Sequence, residues 1–371
     1  MHKKNDKLKM SFDTNTIDHL GIKLYSTLPP VIAEMISNAY DADASKITIS
    51  LFDNKPNKEI IIIDNGMGMS FKELNNMFLV IGRNRRKNGK QFTPKGRKVI
   101  GRKGLGKLSV FGIAEEIELT TIKNGLKNRI SLIYKDIKNT PKGEDYEPNI
   151  FVKNKKTEKL AGTKIILKRI KRKSNFDLKG LARNLSKTFS IFDSNFHCKL
   201  ILNNKKEISL NKNFNYEQIE YEAKLDYPEK ELKDKIWNEY IEENTNHSSF
   251  KKIKGKLYIS KKPLKSSKNG FQLFARGKSV QSNTFFGYRA NDNIHAYMYG
   301  YFDVDFIDDY ETDYISTDRK SLNWTTDLTM DLQIFLQIII KKYTTKFRRI
   351  KEKKKEDKFT EEYGDDIETI T

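Results

Sequence analysis

Three polar side chains interrupt an apolar run near the start of the chain: Glu34, Asn38 and Asp41. Their spacing of i, i+4 and i+7 places them on one face of an α-helix, whose period is about 3.6 residues. Two carboxylates and a carboxamide on such a face are expensive to bury unless a ligand satisfies them. The pattern therefore predicts a helix that presents a polar stripe to a ligand site.

A second candidate is Asp64, which directly follows the apolar run Ile60–Ile63. An apolar run of this length predicts a short strand that is buried on both faces. Gly66 and Gly68 come next and allow a sharp turn and a close approach of the backbone to a ligand. A simple type I′ hairpin turn after the strand is the alternative.

The third candidate is the glycine-rich basic segment from Gly101 to Lys107. Backbone N–H groups and ammonium charges in such a segment are suited to binding phosphates. Its GxxxxGK spacing is also that of a P-loop, but Leu108 stands where Ser or Thr would have to reach Mg²⁺. The P-loop interpretation also leaves the acidic helix without a role.

Together these motifs resemble the ATP-binding domain shared by gyrase, heat-shock chaperone, histidine kinase and MutL ATPases, the GHKL superfamily. The resemblance rests on Glu34–Ala42, Asp64–Gly68, Gly101–Gly106 and Gly162–Thr163, which occur in the family's order. It covers roughly residues 11–175. The fold that it implies is α+β, a two-layer α/β sandwich of the GHKL (Bergerat) type followed by a second, transducer-like β/α domain.

The resemblance implies that the polar helix is catalytic. Glu34 is expected to be the general base that orients and deprotonates the attacking water. Asn38 is expected to supply an oxygen to Mg²⁺, which keeps most of its waters and bridges the phosphates. Asp41 is expected to support the helix and the base of the pocket. A solvated helix face, with Asp41 as a simple cap, is the alternative.

The resemblance also implies an adenine pocket. Asp64 is expected to accept a hydrogen bond from the adenine amino group, and Gly66 and Gly68 leave the wall beside the base free of side chains. Thr163 is expected to fix the water network between Asp64 and adenine. Met69 belongs to the same expected ATP-binding set.

The glycine-rich segment is expected, from the same resemblance, to form a lid over the phosphates. Lys103 or Lys107 would lie near the γ-phosphate. The ATP-binding residues expected in the lid are Gly101, Lys103, Gly104, Leu105, Gly106 and Lys107.

The elements that position these residues are expected to fall into four segments. These are an N-terminal arm at 1–20, a GHKL-type ATP-binding domain at 21–175, a transducer-like middle domain at 176–326, and a C-terminal region at 327–371. The C-terminal region contains an amphipathic helix at 328–350, with an apolar side between Leu332 and Phe347. A lysine cluster follows it, and the acidic tail from Glu361 is expected to be disordered.

One loop near the end of the middle domain carries a second catalytic candidate. The segment Asp313–Trp324 resembles the middle-domain loop of heat-shock chaperone ATPases, in which an arginine reaches the γ-phosphate. Arg319 is the matching position, although Lys320 replaces the usual acidic neighbour. A cation delivered from a second domain would stabilise the transition state and make hydrolysis depend on domain docking. An ordinary salt bridge to Asp318 is the alternative.

Composition narrows the class of protein. The 371 residues suffice for two domains, and no apolar run of about eighteen residues predicts a membrane span. Cys198 is the single cysteine, which fits a reducing cytoplasm. The five histidines are scattered, so Mg²⁺ is the metal that we expect.

The net charge of +21 is unevenly distributed. From Arg83 to Lys107 there are eleven basic residues and no acidic one, more than one nucleotide requires. A polyanion, DNA or RNA, is the obvious second partner. A solvated lid that carries excess lysine is the alternative, because no nucleic-acid-binding motif of defined type accompanies the charge.

The expected function is that of a slow, Mg²⁺-dependent ATPase with an ATP-gated lid. The resemblance implies that ATP binding brings two subunits together as a homodimer, with room for a further protein partner. The first hypothesis is a MORC- or MutL-like clamp acting on nucleic acid, in repair or defence. The alternative is a heat-shock-chaperone-like ATPase acting on protein clients.

Overall fold

The computed structural model describes residues 27–54, 56–80, 91–101, 108–141, 144–211, 219–224, 248–288, 293–316 and 321–368. The chain divides into two compact units, Met1–Asn215 and Tyr216–Thr371. No described helix is both long enough and apolar enough to cross a membrane. The arm expected at 1–20 lies outside the described residues.

The first unit contains one eight-stranded sheet and four described α-helices. The strands are Lys46–Phe52 (β1), Glu59–Asp64 (β2), Ala114–Lys123 (β3), Leu126–Ile133 (β4), Asn149–Lys156 (β5), Gly162–Ile170 (β6), His197–Leu202 (β7) and Lys206–Leu210 (β8). The helices are Leu28–Asp41 (α1), Phe71–Glu73 (α2), Tyr134–Asn139 (α3) and Leu178–Thr188 (α4). A π-helical turn, Leu74–Phe78, continues α2, and a 3₁₀ turn spans Leu108–Gly112.

The sheet brings together strands that are distant in the chain. Its order is β5-β4-β3-β6-β2-β1-β7-β8. β1 and β7 run parallel, and the other neighbouring strands of this sheet run antiparallel. The motif Asp64–Gly68 after β2 therefore lies near the middle of the sheet, beside the start of β6.

The expectation that Ile60–Ile63 is buried on both faces is wrong. Ile60 and Ile62 are buried, whereas Ile61 is only partly covered and Ile63 is 46% exposed. An antiparallel sheet can keep one face on the core and leave the other solvated, so alternate isoleucines face water. Four consecutive isoleucines carry no polar residue from which this alternation could be read.

Helix α1 forms where the sequence predicts a helix. Pro29 and Pro30 occupy its first positions, where the missing N–H groups of proline cost nothing and the fixed φ suits a helix. Its apolar side packs into the core of the first unit, and the buried residues there include Val31, Ile32, Met35 and Ile36. The helix ends at Asp41, and two residues later Asp43 adopts a left-handed backbone with φ of 58°.

The second unit contains a five-stranded sheet in the order β12-β11-β13-β10-β9. The strands are Ile219–Lys224 (β9), Lys254–Ser260 (β10), Gly270–Ala275 (β11), Lys278–Thr284 (β12) and Met298–Asp303 (β13). Short 3₁₀ turns span Ser248–Lys252, Asn293–Ala296 and Asp305–Asp308, and one long helix, α5, spans Asp327–Glu368.

Helix α5 supplies much of the core of the second unit. Its expected apolar side is confirmed, because these residues are all buried there: Leu332, Phe335, Leu336, Ile339, Ile340, Tyr343 and Phe347. The expectation of a disordered tail from Glu361 is not met, since the helix continues to Glu368. Oppositely charged residues four positions apart, such as Arg348 and Glu352, support the polar stretch of the helix that follows its apolar part.

The first unit extends further along the chain than the expected boundary at 175. Helix α4 contributes buried Leu181 and Leu185 to its core, and β7 pairs with β1. A boundary placed by local composition misses such pairing, because the partner strands are about 150 residues apart in sequence.

Candidate active site

The polar stripe of α1 lies at the edge of the core. Glu34, Asn38 and Asp41 are each partly exposed, whereas their neighbours Ala33, Met35 and Ala39 are buried. The stripe is therefore accessible from one side and backed by packed apolar side chains on the other. This is the placement that a helix-borne ligand site requires.

The end of α1 touches the turn after β2. The Met67 N–H donates to the carbonyl oxygen of Ala42 over 2.9 Å. A Cβ at Gly66 would stand 2.7 Å from the same oxygen and 2.9 Å from an Asp64 carboxylate oxygen. Only glycine allows this approach, so the first two sequence motifs meet in space.

Asp64 ends β2 with its carboxylate half-buried. Its Oδ1 accepts a hydrogen bond from the Gly66 N–H over 2.9 Å. Burial raises the pKa of this carboxyl group to about 6, opposed by hydrogen bonds from the backbone N–H groups of Gly66 and Thr163. A carboxylate in such partly dry surroundings is a strong acceptor for a ligand N–H.

Thr121 of β3 lies between Met69, in the turn after Asp64, and Thr163, on the strand beside it. Its Oγ1 accepts from the Met69 N–H over 2.8 Å and lies 3.4 Å from the Thr163 Oγ1. Gly68 packs against the same strand with φ of +64°, and a Cβ there would overlap the Ile122 carbonyl oxygen. Sequence reasoning missed Thr121, because a single buried threonine in a strand carries no motif.

Asn65 is a second residue that sequence reasoning did not single out. Its Oδ1 accepts from the backbone N–H groups of Ser45 and Lys46 over 2.9 and 2.8 Å. Its Nδ2 donates to the Ser45 Oγ. The side chain thus fastens the turn after β2 to the start of β1, and its place inside the Asp-Asn-Gly motif was the available signal.

Asp41 connects the helix to the glycine-rich segment. Its Oδ1 accepts from the Ile100 N–H over 2.8 Å, and its Oδ2 accepts from the Gly101 N–H over 2.9 Å. The carboxylate therefore holds the residues at which the expected lid begins. The lid residues Lys103, Gly104, Leu105, Gly106 and Lys107 lie outside the described residues.

The segment before the lid is fixed to α1 by further polar contacts. The Asp43 carboxylate accepts from the Thr93 hydroxyl over 2.5 Å and from the Lys95 N–H over 3.1 Å. The Arg97 guanidinium donates to the carbonyl oxygens of Ala44 and Asn195 and lies over the Tyr40 ring. Part of the basic run therefore serves the protein itself. These contacts fix Thr93, Lys95 and Arg97 beside the end of α1.

The loop expected to carry a catalytic arginine belongs to the second unit. Ile315 and Leu322 form an isolated antiparallel bridge, and the Ser316 N–H donates to the Ser321 carbonyl oxygen over 3.0 Å. Gln281 of β12 accepts from the Leu322 N–H, which fixes the base of the loop to the sheet. Arg319 lies between these paired residues but outside the described part of the chain.

These contacts assemble a site from four segments of the first unit: α1, the turn after β2, the strand pair β3–β6, and the residues at Gly101. The half-buried carboxylate of Asp64 lies beside the turn that contains Gly66 and Gly68. The helix that touches this turn carries the partly exposed side chains of Glu34 and Asn38. Such an arrangement can bind a planar base with an amino group and place an acid–amide pair beside its substituents.

Comparison with known proteins gives the class of the domain. Residues 25–163 match the family described as histidine kinase-, DNA gyrase B- and HSP90-like ATPase. With the motifs in order and the mixed sheet in place, the first unit is a GHKL-type ATPase domain.

Individual relatives extend the comparison. The chain is 28% identical over 342 residues to the "Putative type II restriction enzyme HgiDII" of Herpetosiphon aurantiacus, an alignment of 85% of the chain and 52% of the relative. It is 34% identical over 137 residues to the chaperone protein HtpG of Borreliella afzelii, covering 31% of the chain and 22% of HtpG. HtpG of Buchnera aphidicola is 30% identical over 154 residues. The chain thus spans about half the length of the first relative and about a fifth of the second.

Proposed function

We propose that the first unit binds ATP with the adenine base against Asp64. The surroundings of this carboxylate support the proposal most strongly. It is half-buried, and the adjoining turn packs so closely on Ala42 and Ile122 that only glycine fits at positions 66 and 68. The Thr163 hydroxyl lies on the neighbouring strand, where it can hold a water between Asp64 and the base.

The phosphate end of the site is assigned to α1. ATP with Mg²⁺ supplies the bond to be cleaved and the cation that offsets its charge. Glu34 orients the attacking water and takes its proton, and Asn38, one turn later, offers an oxygen to the cation. Within the described ranges, no group of three or more His, Cys, Asp or Glu could hold a metal. One amide ligand completed by phosphates and water therefore fits these residues.

The lid is assigned to the glycine-rich segment, with Asp41 holding its first residues. Lys103 or Lys107 would meet the γ-phosphate, and Gly101, Gly104, Leu105 and Gly106 would form the phosphate-facing backbone. Because Asp41 is seven residues after Glu34 on the same helix, lid and catalytic base share one rigid support. Arg319 stays a prediction as a cation for the γ-phosphate.

We further propose that the ATPase is a dimeric clamp on nucleic acid. The alignment with HgiDII, whose name denotes a restriction enzyme, carries this proposal, because it extends over 85% of the chain and so includes both units. The basic run from Arg83 to Lys107 and the net charge of +21 agree with a polyanionic partner. The GHKL family often dimerises, which supports closure of two subunits around the partner.

A chaperone-like ATPase acting on protein clients is the second candidate. The HtpG relatives and the loop that contains Arg319 favour it. The HtpG alignment covers 31% of the chain, however, so it supports a similarity of the ATPase domain and not of the whole protein.

ATP hydrolysis by the wild type and by Glu34→Ala, with and without double-stranded DNA at low and moderate salt, tests the proposal. We expect DNA to stimulate hydrolysis by the wild type and higher salt to weaken that stimulation. Glu34→Ala should lower kcat by about 10²- to 10⁴-fold, because a general base contributes about that much, while ADP still binds. Glu59→Ala, which removes a glutamate of β2, is the matched control.

Each contrary result has a distinct meaning. Hydrolysis that is indifferent to DNA at every salt concentration would favour a protein client. Normal turnover by Glu34→Ala would remove this residue as the base.

A further inference from the structure

Strand β5 forms one edge of the first unit's sheet, and its side chains are unusually open. Seven of its eight residues are exposed, and Val152 is partly covered. Ile150 and Phe151 stand out, because these apolar side chains are 53% and 57% exposed. Two adjacent open apolar residues on an edge strand are a liability unless something binds there.

The charged side chains of this edge are all basic. Strands β4 and β5 together contain Lys127, Arg129, Lys153, Lys155 and Lys156 and no acidic residue. Arg129 is paired with Glu118 of β3. Lys127, Lys155 and Lys156 have no ion-pair partner within the described part of the chain. These three lysines neutralise no acidic side chain of the described chain, so their positive charge is available to attract an anion.

Phe151 and Arg129 form a cation–π pair on this edge. The Arg129 guanidinium lies 5.2 Å from the centre of the Phe151 ring. The Arg129 Nε and Nη2 both donate to the Glu118 Oε1 over 2.7 Å, which fixes the plane of the guanidinium. An exposed ring backed by a fixed guanidinium offers a π-face on which an unpaired base can stack.

A second cation–ring pair extends the surface toward α2. The Lys153 ammonium lies 4.7 Å from the centre of the Phe71 ring. Lys72, beside Phe71, is exposed and adds another positive charge. Cations thus follow the open ring of Phe151 along the strand, where they can meet a phosphate backbone.

Strand pairing by a peptide fits this edge less well. Lysines on an edge strand discourage the addition of another strand. Asn154 also has a positive φ of 49°, and the register of β5 with β4 shifts beside it. This bulge interrupts the row of backbone groups that an added strand would need.

We propose that the β5 edge is a binding surface for single-stranded nucleic acid. A base stacks on Phe151, and Lys153, Lys155 and Lys156, which follow this residue along the strand, contact the phosphates on that side. This inference deepens the proposed function and rests on it, because it names a surface for the nucleic-acid partner that is separate from the lid.

Fluorescence anisotropy of the full chain with a labelled oligothymidylate of about 16 nucleotides tests the surface. Phe151→Ala should weaken binding about 5- to 100-fold, because stacking on an aromatic ring contributes about that much per base. Phe151→Trp should retain the affinity. Lys155→Ala/Lys156→Ala should reduce the slope of log affinity against log salt by about 1.4, since each lost phosphate contact contributes about 0.7.

The opposite edge of the sheet supplies a matched control. Lys205 and Lys206 are adjacent exposed lysines at the start of β8, so Lys205→Ala/Lys206→Ala removes the same charge. We expect this variant to bind the oligonucleotide as the wild type does. Circular dichroism of each variant checks that the fold is intact.

The outcomes separate this inference from the proposed function. Normal binding by Phe151→Ala, or equal losses in the β5 and β8 variants, would overturn the inference and leave the nucleic-acid ATPase standing. Absence of oligonucleotide binding by the wild type would overturn the inference, whereas the response of ATP hydrolysis to double-stranded DNA decides the clamp proposal. If Phe151→Ala loses binding of the oligonucleotide while nucleic acid never changes the wild-type ATPase rate, the surface stands and the clamp proposal fails.

Discussion

In the first unit, the carboxylates of Asp41 and Asp64 stay half-buried and accept hydrogen bonds from backbone N–H groups at Gly101 and Gly66. In the second unit, the acidic side chain of Asp308 instead lies against a guanidinium, that of Arg276, and both side chains are 1% exposed. The carboxylates of Asp41 and Asp64 can therefore accept further hydrogen bonds from the solvent side, whereas Asp308 and Arg276 are enclosed by protein.

The enclosed cluster supports a tight turn. Arg276 and Gly277 have positive φ values of 53° and 76° between β11 and β12. The Arg276 N–H donates to Asp305, and its Nη2 donates to Asp309 over 2.6 Å. The two units therefore differ in what their acidic groups can still do: Asp41 and Asp64 keep acceptor capacity that the proposed site can use, whereas Asp308 is enclosed with a cation and supports a turn.

The largest effect is expected from Arg276→Leu. Removing the guanidinium leaves Asp308 buried without its cation, which should lower the free energy of unfolding by about 3–5 kcal/mol. Urea unfolding followed by the fluorescence of Trp324, in the same unit, measures the loss. Lys199→Leu breaks the exposed Lys199–Glu207 pair of the first unit and should cost no more than about 1 kcal/mol, measured by circular dichroism because both tryptophans lie in the second unit. Equal losses in the two variants would remove the scaffold role of the cluster.

Asp64→Asn should weaken the binding of adenine nucleotides about 10- to 100-fold. The substitution keeps the shape but removes a charged acceptor, whose hydrogen bond contributes about 1.5–3 kcal/mol. Calorimetric titration with ADP measures the change. Asp53→Asn is the control, because Asp53 also accepts from a backbone N–H, that of Phe176, at a separate place in the unit. Unchanged affinity in Asp64→Asn would mean that adenine binds elsewhere.

The raised pKa of Asp64 predicts that adenosine binding weakens in mild acid. With a pKa of about 6, the carboxylate is mostly ionised at pH 7 and mostly protonated at pH 5. Affinity should therefore fall roughly tenfold per pH unit below about pH 6. Adenosine is the probe, because it has no phosphate that titrates in this range. A flat profile between pH 5 and 7 would contradict the assignment.

The same pKa predicts the opposite trend for the stability of the unliganded protein. The folded state binds the Asp64 proton more tightly than the unfolded chain does, where the ordinary pKa is 3.8. The contribution of this group to the free energy of unfolding should thus increase as pH falls from about 6 toward 3.8.

The smallest effect is expected from Asp41→Asn. An asparagine can accept through one oxygen, so one of the two N–H bonds at Ile100 and Gly101 is lost. That loss of about 0.5–1.5 kcal/mol should weaken ATP binding about 2- to 10-fold and leave the basic run from Arg83 to Lys107 more open to trypsin with nucleotide present. Trypsin cleavage as fast in the wild type as in Asp41→Asn would contradict the anchor role.

Sequence patterns predicted the local parts of this site. The i, i+4, i+7 spacing gave the helix face of Glu34, Asn38 and Asp41, because helical periodicity is a property of neighbouring residues. The glycines after Asp64 predicted a sharp turn and a close approach of the backbone to a ligand. The approach that the structure shows is that of Gly66 to Ala42 of the same chain, and the approach to a ligand stays a prediction. Both features are encoded within a few residues.

Contacts between distant segments could not be predicted in this way. Thr121 meets Met69 and Thr163 only because β3, β2 and β6 assemble in one sheet. Arg97 was counted with a surface charge run, yet its position between Tyr40 and Phe196 follows from packing of three separated segments. In each case the side-chain role depends on the partner that tertiary structure provides.

The parallel pairing of β1 with β7 has a consequence for how this domain can be exchanged between proteins. The recognisable family match ends at residue 163, but β1 has the backbone of β7 as its neighbour on one side. A gene fusion that breaks after residue 163 would deliver a domain in which β1, the strand that follows α1, has one edge without a partner. Recombination that keeps the whole sheet must break beyond Leu210, so the segment that has to be exchanged is longer than the family match.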